Sequence, residues 1–95
     1  MLFVSFMTPK PPSTSNERTR RRLDWKYPEQ MRVIAEYWLA DEHPQVVLIS
    51  EGDDAATMIQ AINQWDDMFD IKVVPAIPAE AGLAGAREMF AAAVA

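Results

Sequence analysis

The sequence predicts an α+β domain in which a four-stranded antiparallel sheet carries its main helices on one face. Three observations lead there. An amphipathic helical pattern after Gly52 runs directly into a short β-branched segment at 71–76. Two apolar, strand-like runs, 31–40 and 45–51, flank the polar turn Asp41-Glu42-His43-Pro44. The chain also opens on an apolar run, MLFVSFM, that Pro9, Pro11 and Pro12 bring to an end. With a helix between the first two strands the order is β-α-β-β-α-β plus a C-terminal helix, the split βαβ or ferredoxin-like arrangement. Right-handed crossovers then place both main helices on the same side.

Each element has a local cause. Thr14-x-x-Glu17 has capping-box spacing, so the first helix is expected to start near Ser15 and to stop before Pro28. Its apolar stripe is thin: Leu23, Trp25 and the stems of the arginines. A four-residue turn would pair Leu39 with Val46, Trp38 with Val47, Tyr37 with Leu48 and Glu36 with Ile49. Asp53 or Asp54 caps the second helix, where a carboxylate also suits the positive end of the dipole. Ala55, Met58, Ile59, Ile62, Trp65 and Phe69 recur at spacings of three and four, which carries that helix to Asp70. Pro75 gives the last strand an edge position. Leu83, Ala86, Phe90 and Val94 have helical spacing, although Gly82 and Gly85 weaken the start of this terminal helix.

A chain of 95 residues makes one domain, expected to span 1–95. A hydrophobic content of 49% excludes disorder, and the absence of cysteine excludes disulfides and thiolate metal sites. No apolar run approaches a membrane span, and the opening run is too short for a signal peptide and lacks its basic flank. The cytoplasm is the expected compartment. Charge is uneven: residues 1–32 hold seven basic against three acidic groups, and the remainder holds two against eleven, for a net −5. An acidic whole argues against general nucleic-acid binding.

The pairing above sorts the sheet into two faces. Val33, Ala35, Tyr37, Leu39, Val46 and Leu48, with Leu2, Val4, Phe6, Ile71 and Val73, are expected beneath the helices. The opposite face would then carry Phe3, Met7, Ile34, Trp38, Val47, Ile49 and Val74. A solvated face should alternate to polar, and each of these side chains gains about 1.5–3 kcal/mol when buried. A second copy of the sheet in a two-fold dimer is the simplest cover.

The start MLFVSF, the hairpin VIAEYWLADEHPQVVLISEGDD and the run INQWDDMFDIKVVPAIPAE resemble a small uncharacterised prokaryotic family. That family is similar to the dimeric α+β barrel superfamily, which also contains antibiotic-biosynthesis monooxygenases and muconolactone isomerases. The resemblance covers about residues 1–80. It implies a ferredoxin-like homodimer but transfers no catalytic residue, because Trp65, Asp67, Asp70 and Pro75, which carry it, hold no known chemistry. Superfamily enzymes often place a histidine at the sheet cavity; His43, the only histidine here, falls in the turn.

Ser5, Glu36, Trp38, Glu51 and Lys72 are the candidate ligand-binding residues, read as a polar lining around Trp38 on the second face. The leading expectation is a homodimer that binds a small apolar ligand or a partner between the two sheets, without cofactor or metal. The first alternative is a cofactor-independent monooxygenase- or isomerase-like enzyme with Glu36 or Glu51 as its base. The plainer reading pairs both glutamates with Lys72 or Arg32 across the dimer. The second alternative takes the RTRRR run at 18–22 as an anion or RNA site. Its plainer reading pairs those arginines with Asp24, Asp66 and Asp67.

Overall fold

Seven elements follow one another in the computed structural model, which describes residues 1–94. The strands are β1 (Leu2–Pro9), β2 (Arg32–Trp38), β3 (Val46–Glu51) and β4 (Phe69–Ala76); the helices are α1 (Ser15–Asp24), α2 (Ala55–Asn63) and α3 (Ala79–Val94). The strands form one antiparallel sheet in the order β2-β3-β1-β4, which fits the split arrangement. Both caps form as their residues dictate. Thr14 Oγ1 accepts the Glu17 N–H at 3.2 Å, and the Asp54 carboxylate accepts the Thr57 N–H at 3.1 Å and its hydroxyl at 3.2 Å. Pro75 lies on β4, an edge strand, where its missing N–H costs the ladder least.

The second helix is shorter than its periodicity predicts. α2 ends at Asn63, and tight turns replace the next helical turn, with Trp65 N–H donating to Ile62 O and Phe69 N–H to Trp65 O. Trp65, Met68 and Phe69 then bury together against Met7, Trp25 and Ile71. Phe69 opens β4 instead of closing a helix.

The hairpin also departs from expectation. Leu39 N–H donates to Gln45 O at 2.6 Å, while the Asp41 carboxylate accepts the N–H of Glu42 at 2.6 Å and of His43 at 3.4 Å. This side chain organises a longer loop, as aspartate does in turns. Trp38 therefore faces Val46, Tyr37 faces Val47 and Glu36 faces Leu48, one residue out of the expected register. A second irregularity between Val33 and Ala35 takes up Ile34.

A one-residue slip exchanges the two faces of a strand. Glu36 and Trp38 consequently share a face with Val46 and Leu48, beneath the helices. β1 presents Phe3, Ser5 and Met7 to that same side, opposite Ser50, Leu48 and Val46. The expected assignment of Leu2, Val4, Phe6, Ala35 and Tyr37 to the helix side is reversed. The main core is Phe3, Met31, Leu48 and Met58, all buried. The uncovered face keeps an apolar patch of Val4, Phe6, Tyr37, Val47, Ile49 and Val74, with Arg32, Glu51, Asp70 and Lys72 at its margins.

Two helices pack unusually. α1 has no buried residue. α3 stands away from the domain, with every side chain described in it exposed except that of Ala86, which is half-buried. The long axis accordingly reaches 58 Å, and the radius of gyration is 16.7 Å, against about 12 Å for a compact chain of this length.

Candidate functional site

α1 is too polar to dock through an apolar stripe, so its arginines do the docking. The Arg18, Arg21 and Arg22 guanidinium groups lie 5.7, 5.4 and 5.1 Å from the ring centroids of Phe69, Trp65 and Tyr27. Such contacts are worth about 0.5–2 kcal/mol each, more as water is excluded. The rings beneath run on from one another. Tyr27 meets Trp25 edge-on at 4.4 Å, Trp25 meets Trp65 at 5.7 Å, and Trp65 meets Phe69 at 5.8 Å. Directional bonds then fix the helix. Arg21 forks onto Asp67 at 2.7 and 2.8 Å, Arg18 donates to the Ser13 carbonyl and hydroxyl at 3.0 and 2.9 Å, and the Trp25 indole donates to the Gln64 side chain.

Between this cover and the sheet lies a cavity of about 80 Å³. Arg18, Thr19 and Arg22 of α1 form its roof, with Trp25, Tyr27 and Met31 at one side and Met58, Ala61 and Ile62 toward α2. Ser5, Met7, Leu48 and Val73 pave its floor. Trp38 is the exposed member of the lining, at 58%, and so marks the mouth at the β2 edge.

Glu36 organises that mouth. Its carboxylate accepts a fork from Arg22 at 3.1 and 3.2 Å, the Trp38 indole N–H at 2.6 Å and the Tyr27 hydroxyl. Burial works to raise its pKa, but these donors outweigh burial and hold it below the ordinary 4.5. The same contact, together with burial as the larger cause, pushes the Tyr27 phenol well up. At neutral pH the cluster is therefore a fixed carboxylate among three donors, one of them a protonated phenol.

The structure brings three of the five candidate residues, Ser5, Glu36 and Trp38, to this cavity. Glu51 and Lys72 lie on the other face of the sheet. Glu51 faces Arg32 across the β2–β3 ladder, with 3.5 Å between their charged groups. Lys72 faces Phe6. His43 is exposed in its turn. Of the acids expected to pair with the arginine run, Asp67 takes Arg21; Arg22 instead reaches Glu36 in β2. Sequence reasoning missed Trp25 and Tyr27 as site residues and took Arg22 only as part of the basic run at 18–22. The available signal was the spacing of the arginines over successive turns beside the aromatic pair Trp25 and Tyr27.

A family profile described as a domain of unknown function (DUF3303) matches residues 1–90. The chain belongs to the DUF3303 family. No curated protein and no solved structure matches it. The DUF3303 match takes in the whole sheet, α1, α2 and most of α3, and hence every residue of the cavity. Among the described residues of this DUF3303 domain, no group of three or more His, Cys, Asp or Glu side chains could hold a metal ion. No helix among them is long and apolar enough to cross a membrane.

Proposed function

We propose that this protein is a homodimeric binding domain that takes a small, flat, apolar ligand into the cavity between α1 and the sheet. The observation that carries the reading is an apolar and aromatic cavity roofed by a helix with no buried residue. A volume of about 80 Å³ is several times what one water needs, yet roughly half that of a cavity known to hold a benzene ring. A ring-sized ligand therefore requires α1 to move outward. Arginine contacts with rings and carboxylates allow such movement more readily than interlocked apolar side chains. The ligand site thus lies under the helices, beside Trp38, and not between two sheets.

Binding is favoured over catalysis because Glu36 is occupied by three donors and has a lowered proton affinity, the opposite of what a base at neutral pH needs. The dimer rests on the uncovered face, where Val4, Phe6, Tyr37, Val47, Ile49 and Val74 make a patch that a second sheet would remove from water. Calorimetric titration with indole tests the ligand reading. Wild type is expected to bind it, and Ser5→Val, which narrows the buried floor, to weaken binding at least about tenfold without loss of stability. No heat of binding in wild type, or equal affinity in the variant, counts against the cavity as the site.

A further inference from the structure

The terminal helix has the composition of a buried element in an exposed position. Only Glu80, Arg87 and Glu88 are charged among its 16 residues, so it is apolar nearly all round. Helices of that kind normally have cover on more than one side. Here Leu83, Met89 and Phe90 are 54%, 62% and 65% exposed, and no side chain comes within 4 Å of where a Cβ on Gly85 would sit.

The second observation lies at the far edge of the sheet. Ile34, Tyr37, Trp38 and Leu39 are all exposed along β2 and its exit. Edge strands are normally blunted by charge or proline, or covered by a helix or loop. β4, the other edge, is blunted by Asp70, Lys72 and Pro75. β2 carries a charge at its start, the exposed Arg32, but beyond it the edge is apolar and open at Ile34, Tyr37, Trp38 and Leu39.

We infer that α3 is an exchanged arm: in the dimer it lies along the β2 edge of the partner subunit, with Leu83 toward Ile34 and Phe90 against Trp38 and Leu39 there, and closes the mouth of that subunit's cavity. The inference rests on the dimer and cavity proposed above. Strand order supplies the geometry. A two-fold axis parallel to the strands, between two facing sheets, reverses the order β2-β3-β1-β4 and sets β4 of one copy over β2 of the other. α3 leaves from the end of β4 and so starts beside the partner's uncovered edge.

Area supports the arm as well. Four strands about 4.8 Å apart and roughly 20 Å long offer about 400 Å² of flat face. That is about half of the roughly 800 Å² each partner gives in a stable complex. A helix about 24 Å long and 10 Å wide adds about 240 Å² in each direction of the exchange. The sum reaches the usual size, whereas the sheets alone do not.

The chain has no cysteine, which makes cross-linking clean. Full-length Phe90→Cys and Leu39→Cys chains with different tags are mixed and mildly oxidised. The arm predicts mixed disulfides in clear excess over either like pair; a random distribution overturns it. In parallel, sedimentation compares wild type with the double variant Leu83→Glu, Phe90→Glu, whose changes lie on exposed positions. The dimer dissociation constant should rise at least tenfold, and indole affinity should fall with it. A dimer of unchanged strength in the variant overturns the arm while leaving the sheet-to-sheet dimer standing. Unchanged indole affinity in a variant that has become monomeric overturns the closure of the mouth. A wild type that is monomeric at 100 µM removes both the arm and the dimer. Absence of indole binding in wild type speaks against the cavity reading alone, and the mixed disulfides then still decide the arm.

Discussion

Replacing Glu36 with glutamine keeps the shape of the side chain and one oxygen acceptor but removes the charge at the centre of the mouth. Arg22 loses its fork, and one of the donors from Tyr27 and Trp38 loses its acceptor. A bond to a charged group contributes about 1.5–3 kcal/mol, an exposed ion pair about 0–1, and a broken buried pair costs about 3–5. The Glu36 side chain is 14% exposed and that of Arg22 34%, so water reaches the arginine and the lower part of that span applies. The expected loss is about 2 kcal/mol, a fall of roughly 8–16 °C in Tm for a domain of this size. Urea denaturation at several pH values is the assay. The folded pKa of Glu36 is lowered, so its contribution is complete above the ordinary 4.5 and is lost as pH falls through the folded value. The gap between wild type and Glu36→Gln should hold from pH 8 to pH 5 and shrink once the pH falls below the ordinary 4.5. A gap below about 0.5 kcal/mol at pH 7, within the range of ordinary surface substitutions, or one that widens on acidification, would refute the clustered carboxylate.

Other substitutions test the surroundings. Tyr27→Phe should cost about 1.5–3 kcal/mol at neutral pH, because the phenol donates to a charged acceptor. Because the folded phenol is raised above its ordinary 10.0, wild type should lose stability relative to this variant as pH rises past 10, and a parallel pair of alkaline curves would contradict that. Asp67→Asn removes an exposed pair with Arg21, so any destabilisation should shrink in 1 M salt; a salt-independent loss would mean the pair is not acting through charge. Leu48→Ala, at a position 2% exposed in the centre of the sheet, should cost about 2–5 kcal/mol by chemical denaturation, and a loss under 1 would place Leu48 outside the core.

Much of the fold was readable because its signals are local. Thr14 and Asp54 cap the helices they were expected to cap, and Pro75 sits on an edge. The parity of β1 and β2 was not readable, for a specific reason. Leu2, Val4 and Phe6 are as apolar as Phe3 and Met7, and Ala35 and Tyr37 are no more obviously inward than Ile34 and Trp38. Alternation carries no direction when both faces are apolar. For β2 the loop that the Asp41 carboxylate organises goes with the shifted register, and a four-residue turn count does not foresee it; β1 takes its side from its ladders with β3 and β4. The end of α2 was hidden in the same way, since Trp65 and Phe69 continue the helical spacing although turns deliver them to the core.

The candidate site followed that parity. Glu36, Trp38 and Ser5 stand out in the sequence as a polar lining around a tryptophan, and they do lie together, but beneath the helices. Glu51 and Lys72 stayed on the other face because β3 and β4 kept their expected orientation. Tyr27, and the pairing of Arg22 with Glu36, were not legible because Glu36 is separated from them by a loop and comes near only once β2 has turned it inward.

The side of the sheet on which Trp38 lies decides most of this account, and a nuclear Overhauser spectrum of the labelled protein reads it directly. The Trp38 indole proton should give cross-peaks to the Tyr27 ring and the Arg22 side chain, which share the Glu36 carboxylate with it. Cross-peaks to the Val47 and Ile49 methyls, on the opposite face, with none to Tyr27, would contradict it.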